Sequence, residues 1–201
     1  MNLALYWLFY KHMKQLVFIL SFLPFFAAQA QSKYENNPDY VLWSATRKLQ
    51  ASDYRMARPH PQGNTPVVGM ILVGYDLRGY DLYSKHLNKK VVNYLQRSGS
   101  WMDTTNYEPD LLLTYEQTRF DILEVYARKL RKELKDNRRT IILRGGQTFD
   151  ARHEQLMAEC NRLIVEYSDD TDSGRLEAKQ RQWEARIQTM LAELAEYAYD
   201  R

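Results

Sequence analysis

Residues 111–134, LLLTYEQTRFDILEVYARKLRKEL, constrain the fold more than any other stretch of the chain. Ile122, Val125, Tyr126, Leu130 and Leu134 recur at three- and four-residue spacing with charged residues between them, the period of one face of an α-helix. A helix of this length spans a small domain from end to end, so the other elements have to be arranged about it. With 201 residues, 45% of them hydrophobic and 26% charged, the chain has material for one such domain and not comfortably for two.

Strand signals precede this helix and helix signals come after it. Residues 66–77, PVVGMILVGYDL, are the strongest strand candidate, rich in Val and Ile. Residues 41–54 predict a short strand and a turn at Ser52-Asp53, and residues 101–103 a short edge strand. The stretch 85–97 suits a helix or an extended segment equally, because Val91, Val92, Tyr94 and Leu95 fit neither period. Two prolines and a glycine make residues 58–64 a loop. Downstream, Gly145-Gly146 breaks the chain and Thr148 is placed to cap a helix over residues 149–167. Phe149, His153, Leu156, Cys160, Leu163 and Tyr167 share one stripe of it. A polar loop over residues 168–174 leads to a third helix, residues 176–199, with Trp183, Ile187, Met190, Leu191 and Leu194 on its apolar side. Strands first and helices after predict an α+β fold, a small N-terminal sheet with three C-terminal helices.

The first 30 residues have the layout of an export signal. Lys11, His12 and Lys14 form a basic flank, residues 16–26 are an apolar run too short to span a bilayer comfortably, and Ala28-Gln29-Ala30 is a small-x-small cleavage site. Met13 is a second candidate start, from which residues 13–30 read as an ordinary signal peptide. The expected mature protein is exported, to the periplasm or beyond. It has a polar, flexible leader over residues 31–40, one domain over residues 41–201 and no stable membrane span. Lys11 and Lys14 are the only charged residues removed, which leaves 26 basic and 25 acidic side chains and a net charge of +1. That balance gives no electrostatic case for nucleic acid as a partner. A single cysteine, Cys160, cannot form an internal disulfide and sits on an apolar stripe, where it reads as inert core.

The first turns of the central helix carry a pattern with chemical content. A zinc peptidase helix reads His-Glu-x-x-His, two imidazoles one turn apart and a glutamate beside the first to take a proton from metal-bound water. Here the run is Tyr115-Glu116-Gln117-Thr118-Arg119. Glu116 has the place of the base; Tyr115 and Arg119 have the places of the ligands. Arg is permanently cationic and does not bind zinc, and Tyr is a poor ligand near neutral pH.

From Tyr115 through Phe120-Asp121-Ile122 and Tyr126-Ala127-Arg128-Lys129-Leu130-Arg131, the chain resembles domain-of-unknown-function family 922, secreted bacterial proteins grouped with zincin-like peptidases. The resemblance extends to Trp43, Asp53-Tyr54, Ser100-Trp101, the stretch 167–174, and Gln180 or Gln182 with Trp183. It implies a zincin-like fold and, in intact relatives, a zinc cofactor. It also implies a third ligand place, which falls on Ser173. All three ligand places, Tyr115, Arg119 and Ser173, then lack imidazole, and Glu116 is a vestigial base with no metal and no cofactor.

A buried glutamate without its metal needs another cation. Arg119, three residues on, is within pairing reach of Glu116, and Asp169, Asp170 and Asp172 lie in the loop expected to close over the helix. The expectation is that Arg119 takes over the charge of the metal and pins that loop. Among the other candidates, His153-Glu154-Gln155 lacks a second histidine one turn on. His60 between prolines reads as a surface residue, and His86 with Lys85, Lys89 and Lys90 as a small basic, solvated face. Tyr75, Tyr80 and Tyr83 around Gly79 form the candidate exposed aromatic cluster. No phosphate loop and no Gly-x-Ser-x-Gly elbow is present.

Three functions are compatible with these residues. The first is an exported non-catalytic homologue of a zinc peptidase that binds a peptide or an envelope protein. The second is a metal-dependent peptidase with unconventional ligands: Glu116, His153 and an aspartate of the 169–172 loop. The third is a structural domain without a cleft.

Overall fold

The computed structural model of the protein describes residues 33–57, 66–105 and 108–199. These belong to one compact unit, Ser32–Arg201. The expected export signal and the expected loop over residues 58–64 lie outside the described residues. The fold is α+β, a small antiparallel sheet and then helices.

Helix α1, Pro109–Asp136, opens on a proline at its first turn and closes at Asn137. Residues 120–128 are buried without a break, so the middle of α1 is enclosed on all sides, by strands on one and by later helices on the others. Charged residues on such a helix have to be paired inside the protein. Glu124 accepts hydrogen bonds from Arg128 Nε at 3.1 Å and Arg131 at 2.7 Å. Arg131 also donates to the carbonyls of Val91 and Tyr197, and Arg128 to that of Leu191. Asp121 accepts from Trp43, Gln117 and Gln188.

The main sheet has the order β1-β4-β3, with β1 at Tyr40–Leu42, β3 at Ile71–Tyr75 and β4 at Val91–Gln96. Leu95 on the central strand pairs with Val41 on one side and Ile71 on the other. Val91 and Leu95 face α1 and the main core, while Val92 and Tyr94 pack in a second cluster with Tyr34. Both faces of β4 are therefore buried, which is why its sequence shows no alternation. The first half of the undecided stretch is a 3₁₀ turn, Leu87–Lys90. Tyr34, inside the expected flexible leader, is buried, with ring contacts to Tyr40 and Tyr94. From residue 33 onward the leader is part of the fold.

The single strand expected over residues 66–77 is two strands in two sheets. Val67–Val68, β2, pairs with β5, Trp101–Met102; β3 belongs to the main sheet. The break falls at Gly69-Met70, where the Met70 amide donates to Ser100 Oγ instead of to a neighbouring strand. Four helices, not three, come after the strands: a short helix α2, Arg138–Arg144, stands between α1 and α3, Gln147–Asp170. Thr148 is the second residue of α3 and not its cap, which is Gly146. The fourth helix, α4, Glu177–Glu193, stops short of Tyr199, and a 3₁₀ turn at Ala195–Tyr197 succeeds it. The expected loop starts late, because α3 runs to Asp170. Its end is closed by the Ser173 amide on the Ser168 carbonyl at 2.8 Å, with Asp172 and Ser173 both at positive φ.

Candidate functional site

The first half of α1 brings Tyr115, Glu116 and Arg119 to one face, and the turn after α3 brings Ser173 to the same place. All four line one cleft of about 370 Å³, whose lining also includes the apolar side chains of Val67, Leu111, Ile164 and Val165. Gly174, at φ +88°, lets the turn close onto the helix: a Cβ there would sit 2.9 Å from Tyr115 Cβ. The Tyr115 ring stacks on Tyr167 at 5.3 Å, and its hydroxyl donates to Ser168 Oγ at 3.0 Å. Ser168 Oγ in turn lies 3.4 Å from Ser173 Oγ. The three places that the resemblance assigns to ligands thus converge in space, although Arg119 and Ser173 lie 54 positions apart in the chain.

Arg119 donates to Glu116 Oε1 at 2.5 Å, the ion pair expected from their spacing. Glu116 is fully buried, whereas the Arg119 side chain is 23% exposed toward the cleft. Burial pushes the Glu116 carboxyl above its ordinary range, and the charge and hydrogen bond of Arg119 pull against this. Burial also works against the charge on Arg119, and the Glu116 carboxylate, with smaller contributions from Tyr115 and Tyr54, outweighs that and leaves its pKa raised. Tyr54 Oη, Glu116 Oε2 and Arg119 Nε are buried with no hydrogen-bond partner among the described residues. The Tyr54 phenol is raised by burial first and then by the negative charge of Glu116.

The loop half of the expectation is not met. Asp170 pairs with Lys179 and accepts from Trp183 Nε1, and Asp172 pairs with Arg175. Among the described residues the ion pair of Arg119 is with Glu116 and not with any of the three aspartates, Asp169 included. Backbone closure of α3 and the contact of Gly174 with Tyr115 hold the loop instead. The unconventional ligand set is not assembled either. His153 packs edge-on against Tyr75 at 5.1 Å. No group of three His, Cys, Asp or Glu able to hold a metal ion exists among the described residues. Burial lowers the His153 pKa and pushes the Cys160 thiol up to about 12, as suits a structural cysteine. Of the tyrosine cluster, Tyr80 and Tyr83 are exposed while Tyr75 packs on Phe149.

Gly69 is a site residue that sequence reasoning did not single out. A Cβ on it would fall 1.9 Å from Glu116 Oε2, so the carboxylate occupies the space a side chain would need. The signal in the sequence was a glycine inside a strand-like run, which marks a bulge or a close approach. Gly69→Ala is expected to displace the Glu116 carboxylate and destabilise the protein by roughly 1–3 kcal/mol, measured by urea denaturation. A variant as stable as the parent would show that the carboxylate is free to move.

Comparison with protein-family models, with curated proteins and with solved structures returns no match. Whether the site suits zinc is therefore decided on its own atoms. A zinc site of this kind needs three neutral or anionic ligands aimed at one point. Here a guanidinium already occupies one Glu116 oxygen, and a phenol and a serine hydroxyl are committed to Ser168. Among the described residues that line the cleft Glu116 is the one acid, and Arg119 cancels the charge that would draw a dication in. The residues present do not suit a zinc ion.

Proposed function

We propose that this chain is an exported, non-catalytic homologue of the zinc peptidases, a binding or scaffold domain of the cell envelope that holds a peptide segment of a partner in the cleft beside α1. The observation that carries this reading is the Arg119–Glu116 ion pair within a cleft walled by Tyr115 and Ser173. A cation supplied by the chain stands where the resemblance places a metal. Its lining mixes apolar side chains with Tyr115, Ser168, Ser173, Arg119 and Arg175, which suits a peptide with its backbone and side chains to satisfy together. Among the described residues no helix is long and apolar enough to cross a membrane.

The test is metal content after zinc loading. The unaltered protein is expected to retain no stoichiometric zinc, and a variant carrying Tyr115→His, Arg119→His and Ser173→His is expected to gain it, since three imidazoles then meet beside Glu116. Stoichiometric zinc in the unaltered protein, with peptide hydrolysis abolished by a chelator, would overturn the proposal in favour of a metal-dependent peptidase.

A further inference from the structure

Away from the cleft, a second surface combines arginine, tyrosine and exposed aliphatic side chains. It is built from the 3₁₀ turn Gly79–Tyr83 and helix α2, which touch each other. Arg138 lies over the Tyr83 ring at 5.8 Å, and Arg78 donates to Tyr80 Oη at 3.0 Å. Tyr80 and Tyr83 are 61% and 68% exposed, and Leu143 is 84% exposed. Ile141 anchors α2 in the core. On a helix the position two residues on lies nearly opposite, so Leu143 points outward together with Arg139, four residues before it. Ile142 is exposed on the side of Arg138.

Within these two segments every exposed charge is basic, and the half-buried Asp76 beside Arg78 is the nearby acid. Residues 138–149 contain three arginines and no Asp or Glu. The only acid of the 3₁₀ turn, Asp81, is buried and paired with Lys90 at 2.8 Å. Arg78, Arg138, Arg139 and Arg144 form no ion pair with a described carboxylate. Exposed Ile142 and Leu143, with arginines before and after them in the helix and exposed tyrosines on the adjoining turn, supply the three components that a bilayer surface takes up: acyl boundary, aromatic belt, phosphate.

We propose that this surface docks the protein on a lipid bilayer bearing anionic headgroups. Leu143 and Ile142 enter the boundary of the acyl chains, Tyr80 and Tyr83 lie at headgroup level, and Arg139 and Arg144 meet lipid phosphates. An acidic protein would satisfy the arginines but leaves the outward Leu143 without a layer to enter. The attachment is reversible, since two aliphatic side chains give only a shallow insertion. The inference is independent of the cleft and of what the cleft binds.

The test is cosedimentation of the chain from Ser32 onward, the compact unit that contains every core residue named above, with phosphatidylcholine vesicles with and without phosphatidylglycerol. Binding is expected on the mixed vesicles, falling steeply with salt, and not on phosphatidylcholine alone. Each arginine near such a surface contributes roughly a five-fold change in partitioning. Arg139→Glu with Arg144→Glu should therefore lower binding more than about twenty-fold, while Arg139→Lys with Arg144→Lys should retain most of it. Leu143→Ser should lower it several-fold at unchanged charge. All these positions are at the surface, so thermal unfolding should match the parent. Equal binding to both vesicle types, binding that ignores the substitutions, or capture by soluble polyglutamate in place of vesicles would each overturn the proposal.

Discussion

Replacing Arg131 by methionine is expected to destabilise the protein by about 3–5 kcal/mol, the cost of breaking a buried ion pair from one side. Arg131 is 1% exposed and all three of its guanidinium nitrogens donate: Nε and one amino group to the Val91 carbonyl, the other amino group to Glu124 and to the Tyr197 carbonyl. One side chain thus ties α1 to the central strand and to the C-terminal 3₁₀ turn. Methionine replaces the stem and none of the hydrogen bonds. Among the described residues Glu124 then keeps its 3.1 Å bond from Arg128 alone. The measurement is urea denaturation of Arg131→Met beside Arg131→Met with Glu124→Gln. The double variant should recover part of the loss, since it no longer buries a half-paired carboxylate. A loss under about 1 kcal/mol in the single variant, far below the cost of a broken buried pair, would mean that the network is not the tie described here.

Arg119→Met is the second large effect, with a dependence on pH that identifies its cause. Glu116 is fully buried, and in the variant its carboxylate has no cation beside it. The expected loss near pH 7 is about 3 kcal/mol, the lower end for such a pair, because Arg119 is partly exposed and water reaches the gap. The sign is set by the Glu116 pKa, which burial already raises in the parent against the pull of Arg119. A carboxyl raised on folding contributes stability that is present below its unfolded value of 4.5 and is lost as pH rises through its folded value. Removing Arg119 raises the folded value further, so this loss continues to higher pH. The variant should lie close to the parent below about pH 4.5 and fall away from it as pH increases. A deficit that stays constant from acid to neutral pH, or one that is largest in acid, would sink this account.

Both substitutions act on α1, and α1 is also where sequence and structure agree best. Its period, its extent to within two residues and the pairing of Glu116 with Arg119 come from local rules, because a helix fixes which side chains stand one turn apart. The stripe of α3 and the buried Trp183 and Ile187 of α4 were legible for the same reason. The break at Gly69 was not legible, since what fills the space above that glycine comes from a helix 47 positions later. The extended state of β4 was hidden by burial on both faces, which removes the alternation that marks a strand. Helix α2 is shorter than the span over which helical periodicity can be counted, and it is held by Ile141 in the core and by contacts with α1, α3 and the turn at Gly79–Tyr83.

The aspartates of the turn after α3 show the same limit. Sequence distance allowed Asp169, Asp170 and Asp172 to reach Arg119, but α3 continues to Asp170 and its closure sends Asp170 to Lys179 and Asp172 to Arg175. What the sequence alone determined is the long helix, the α+β order of elements and the identity of the residues at the places that the resemblance assigns to ligands. These depend on periodicity and on side-chain chemistry, both local. What only the tertiary structure decided is that Tyr115, Arg119 and Ser173 share one cleft, that Gly69 makes room for the Glu116 carboxylate, and that two separate segments form one arginine and tyrosine surface. Each of these depends on chain segments far apart in sequence being held against one another, and that information lies in the packing of the whole core.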